Sequence, residues 1–67
     1  MRFEFWSSRD NTPIFARTVS EAAAQAVILA DEFDSDGTLR DARGDLVATI
    51  KREPTAMNGF IALSPGA

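Results

Sequence analysis

Apolar and polar positions alternate from the first residues of the chain. Across Arg2-Phe3-Glu4-Phe5-Trp6-Ser7 the period is two, which is the period of a strand. Phe3 and Phe5 share one face; Arg2, Glu4 and Trp6 share the other. Ser8-Arg9-Asp10-Asn11-Thr12-Pro13 is turn-forming chemistry. Ile14-Phe15-Ala16-Arg17 follows as a candidate second strand, with Pro13 at its start, a position that suits an edge strand or a strand's first residue.

From 19 to 33 the period changes. Val19, Ala22, Ala23, Ala26, Ala30 and Phe33 recur at helical spacing, with Val27 and Leu29 at the margins of the stripe. Thr18-Val19-Ser20-Glu21 reads as the capping box that starts this helix. Four of the six stripe residues are alanine, and small side chains let a helix sit close to a sheet. Asp34-Ser35-Asp36-Gly37 ends it, with Gly37 expected to supply the positive φ of a helix terminus.

Thr38-Leu39-Arg40 reads as a strand, Asp41-Ala42-Arg43-Gly44 as a type I turn, and 46–52 as the best-patterned strand. In it Leu46, Ala48 and Ile50 point one way, and Val47, Thr49 and Lys51 the other. Glu53-Pro54-Thr55-Ala56 leaves the sheet, Met57-Asn58-Gly59 turns, and Phe60-Ile61-Ala62-Leu63 is a candidate last strand. The residues from 64 to 67 read as a loose tail.

The pattern predicts an α+β fold over 1–67: one amphipathic helix packed on one face of a small antiparallel sheet, in the order β-(β)-α-β-β-(β). Phe3, Phe5, Leu39, Leu46, Ile50 and Phe60 are expected to meet Ala22, Ala26, Ala30 and Phe33. Trp6 lies on the far side of the sheet. The final segment is expected to fold over it, with Val47, Ile61 and Leu63 packing there. Left uncovered, Trp6 and Val47 become a contact surface, since Trp is enriched at binding hot spots.

Composition narrows the jobs this domain can do. The chain has 67 residues, no cysteine and no histidine. Disulfides, thiolate metal sites and the commonest general base are therefore excluded. Tyrosine is absent as well, and no Ser or Thr has an evident base beside it, so no catalytic residue, cofactor or metal is expected. A domain this small buries only about 60% of the surface its unfolded chain exposes, which leaves two options: an efficient small core, or association with itself or with another protein. Ten acids against seven bases leave a net charge of −3, which argues against direct nucleic-acid binding. No apolar run spans a membrane and no secretory leader is evident, so the cytoplasm is the expected compartment.

Charge placement is more informative than charge count. Asp31, Glu32, Asp34 and Asp36 crowd the end of the helix, where the macrodipole is negative and favours cations. Each exposed carboxylate there costs about 0.3–1 kcal/mol at low salt. The spacing Glu32-x-Asp34-x-Asp36-Gly37 mimics the start of a calcium loop, but Arg40 and Arg43 stand at its ninth and twelfth positions, where ligands are needed. Arg43-Gly44-Asp45 spells an integrin-ligand tripeptide in a place where a hairpin turn needs Gly and Asp anyway.

The leading expectation is a non-catalytic protein-binding module that engages a Lys/Arg-rich surface through Asp31, Glu32, Asp34 and Asp36. Ile28, Glu21 and Gln25 share the outer helix face and would add contact. Blocking a partner's nucleic-acid channel is one such job, and phage anti-CRISPR inhibitors share this size and acidity, a likeness of size and charge alone. The alternative is a self-associating structural or antitoxin-like module, a homodimer among its forms, joined through Trp6 and Val47 or an edge strand. A third, weaker reading is a nucleic-acid binder using Arg40, Arg43, Lys51 and Arg52 of the hairpin.

Overall fold

The computed structural model describes residues 1–65. The chain runs β1 (Arg2–Ser7), β2 (Asn11–Phe15), α1 (Val19–Phe33), β3 (Gly37–Asp41), β4 (Leu46–Arg52) and β5 (Phe60–Leu63). The strands form one antiparallel sheet in the order β2-β1-β3-β4-β5, and α1 packs on one face of it. This is the expected α+β architecture. Of the expected tail, residues 66 and 67 lie outside the described residues.

Phe3, Phe5, Ile14, Leu39, Ala48, Ile50 and Phe60 project from the sheet to meet Ala22, Ala26 and Ala30 of the helix. The three alanines are wholly buried, so the helix backbone rides close to the strands. Phe33 stacks on Phe5 with ring centroids 6.4 Å apart. Thr18 caps the helix, its hydroxyl accepting from the Glu21 amide at 3.1 Å; the reciprocal bond of a capping box, from the Thr18 amide to the Glu21 carboxylate, is not formed among the described residues.

Several expectations need correction. Pro13 lies inside β2, paired opposite Glu4, rather than at the strand's start. β2 is an edge strand, where a missing amide donor is tolerated. Leu46 does not join the core. The register jumps at Leu39/Arg40, so that Leu39 faces Ala48 while Arg40 faces Leu46. This bulge breaks the two-residue alternation and leaves Leu46 exposed. Val19, in the first helical turn, is exposed too.

The helix also ends differently from the prediction. Asp34, not Gly37, takes the left-handed conformation, at φ 52° and ψ 45°. Asp is among the few residues that tolerate it. The Ser35 amide reaches back to the Ala30 carbonyl at 3.0 Å, completing the turn in Schellman fashion. Gly37 begins β3 opposite Ser7. A Cβ there would collide with the Trp6 carbonyl oxygen and sit 2.9 Å from Phe5 Cε1. The glycine is needed for close approach, not for backbone freedom.

Finally, β5 does not fold over Trp6. It pairs with β4 at the far edge, with β3 and β4 separating it from β1. Among the described residues, nothing covers the sheet face opposite the helix.

Candidate functional site

Two surfaces carry unsatisfied side-chain chemistry. The first is the C-terminal end of α1. Ser8 and Ser35 fasten it to the β1–β2 turn, their hydroxyls 3.0 Å apart, while Ser35 Oγ also donates to the Asp36 carbonyl at 2.9 Å. Of the four acids, Asp34 has an intramolecular cation. Arg52, from the end of β4, places Nη2 2.9 Å from Asp34 Oδ1 and 3.3 Å from its carbonyl oxygen. That guanidinium supplies the positive charge the helix end calls for. It also lies over the Phe60 ring at 4.8 Å.

Asp31, Glu32 and Asp36 are exposed, and none belongs to the ion pairs formed among the described residues. Ile28 is 52% exposed and stands three and four residues before Asp31 and Glu32. Those spacings make the three side chains neighbours on one helix surface. Gln25 and Glu21 have local uses instead. Gln25 Nε2 donates to the Phe15 carbonyl at 3.3 Å, tying the helix to edge strand β2. Glu21 sits in the first helical turn, where a carboxylate complements the dipole.

The second surface is the uncovered sheet face. Trp6 is 39% exposed there. Its indole nitrogen donates to Glu4 Oε1 at 2.6 Å, and the Arg40 guanidinium carbon lies 4.7 Å from the ring centroid. Arg40 faces Glu4 across β1 and β3. Its Nη1 donates to the Gly44 carbonyl at 3.2 Å, while Nε is buried with no hydrogen-bond partner among the described residues. Phe15, 69% exposed, sits across from Arg2. Val47, expected beside Trp6, is half-buried and packs against the core.

The hairpin cations do not form one basic ribbon. Arg43 pairs with Asp45 at 3.1 Å, Arg52 serves the helix end, and only Arg40 and Lys51 belong to the open face. Asp41 is committed to the turn, its Oδ1 accepting the Arg43 and Asp45 amides at 2.9 and 3.0 Å.

Sequence reasoning missed the Arg52–Asp34 pair, whose partners are 18 residues apart and share no periodicity. It also missed the Arg40–Trp6 stack, although strand parity puts both residues on the uncovered side. Among the described residues no cluster of acids is arranged to hold a metal, and no helix is long and apolar enough to cross a membrane. No protein-family model, curated protein or solved structure matches this chain.

Proposed function

We propose that this protein is a non-catalytic binding module that docks the C-terminal end of α1 onto a basic surface of a partner protein. The observation that carries this role is the grouping of Asp31, Glu32 and Asp36 around a helix terminus, with no ion-pair partner for any of them among the described residues, beside the exposed side chain of Ile28. Carboxylates of this kind accept bidentate hydrogen bonds from arginine. They also accelerate encounter with a positive surface. Ile28 supplies the apolar contact that a purely electrostatic patch lacks. Where the partner's basic surface serves nucleic acid, occupying it excludes the strand. The module then acts as a stoichiometric inhibitor, as phage anti-CRISPR proteins do.

The test is a comparison of the wild-type chain with a variant carrying Asp31→Lys, Glu32→Lys and Asp36→Lys. Each is used for affinity capture from the cells that make the protein, followed by quantitative mass spectrometry. A partner held by the wild type should be lost from the variant, and its association rate should fall as salt rises. An unchanged set of captured proteins, with the variant folded by circular dichroism, rules the role out.

A further inference from the structure

We propose that the uncovered sheet face binds an unpaired nucleic-acid strand, with a base stacked at Trp6–Arg40 and phosphates held by Arg2, Arg40 and Lys51. This goes beyond the docking role of the helix end and uses none of its residues.

Charge is segregated in this molecule. The chain is acidic overall, yet the open face carries Arg2, Arg40 and Lys51 against the one carboxylate of Glu4. None of the three cations forms an ion pair among the described residues. Glu4 is already engaged by the Trp6 indole. A face with this balance is complementary to a polyanion even though the net charge is not.

Arrangement then selects the kind of polyanion. The Arg40 guanidinium lies over the Trp6 ring at 4.7 Å. Aromatic rings and guanidinium planes are the two side-chain surfaces on which unpaired bases stack. The pairing with Glu4 on β1 holds Arg40 in register, and its bond to the Gly44 carbonyl fixes the head group. Farther along, Phe15 offers a second exposed ring directly across from Arg2. A duplex buries its base faces, so it gains nothing from Trp6. An unpaired strand gains both stacking and charge neutralisation.

Trp6 is the only tryptophan in the chain, so its fluorescence reports the contact directly. The experiment titrates the full-length protein with a fluorescein-labelled single-stranded oligonucleotide, following anisotropy and Trp6 emission at several salt concentrations. The expected result is quenching of Trp6 together with rising anisotropy. The plot of log K against log salt should have a slope of about −2, for three phosphates neutralised on a single strand. Trp6→Ala should weaken binding about tenfold or more. Arg40→Lys keeps the charge but not the plane, and should weaken binding with the slope unchanged. Lys51→Gln, at an exposed site outside the core, should reduce the slope by about 0.7 and covers the case in which the other variants fail to fold.

Three results overturn the proposal. One is no signal up to about 100 μM strand at low salt, the weak limit of nonspecific binding. Another is equal affinity for a duplex or for heparin, which would leave phosphate-like charge alone at work. The third is quenching that depends on protein concentration without oligonucleotide, which would seat a second copy of the chain on this face.

Discussion

Residue 37 shows how one side chain, or its absence, fixes a neighbouring strand. A methyl group at Gly37 would strike the Trp6 carbonyl oxygen and crowd Phe5, a fully buried ring. Backbone and core cannot both yield, so Gly37→Ala should lower unfolding stability by about 1–3 kcal/mol, the usual cost of overpacking. Urea denaturation measures it, and an unchanged midpoint would mean β1 and β3 separate freely. The glycine was visible in the sequence, but its purpose was not. A glycine just past a helix is read as a terminator, whereas the collision depends on β1 lying alongside.

Among the elements, α1 is the most legible and the most constrained. Its capping residue, length and buried stripe follow from local chemistry and a 3.6-residue period, and the structure agrees at Thr18, Ala22, Ala26 and Ala30. Because these alanines set how closely the helix approaches the sheet, Ala26→Leu should cost about 1–3 kcal/mol. Ala24→Leu, on the exposed side, should stay within about 0.5 kcal/mol. Equal effects in chemical denaturation would contradict close packing. β4 was less legible. Its alternation predicted Leu46 in the core, but the bulge opposite Arg40 turned it out. Bulges arise from how two strands meet, and neither strand's pattern contains that.

At the scale of the whole molecule, the distribution of charge matters more than its sum. Acids gather at the end of α1, and unpaired cations occupy the opposite sheet face. Neutralising Asp31, Glu32 and Asp36 to their amides should stabilise the fold, by about 0.3–1 kcal/mol per carboxylate at low salt. For a domain of this size each kcal/mol raises Tm by about 4–8 °C, and 1 M salt should erase most of the gain. Thermal melts at two ionic strengths decide it. A Tm that does not rise at low salt would show that the helix end does not repel these groups and would remove the reason to seek a function in them. Asp34 is left out because Arg52 already offsets it.

The sequence by itself determined the α+β class, the helix with its cap and alanine face, the antiparallel hairpin of β3 and β4, and the crowding of acids at one point on the chain. Each follows from neighbours within a few residues, where periodicity and turn chemistry act. Only the tertiary structure decided the strand order, the bulge, the role of Gly37, the Arg52–Asp34 pair and the open face where Arg40 lies on Trp6. All of these join residues far apart along the chain. Their positions are set by which strands pair and in what register, and that is settled when the apolar surfaces of all six elements are buried together.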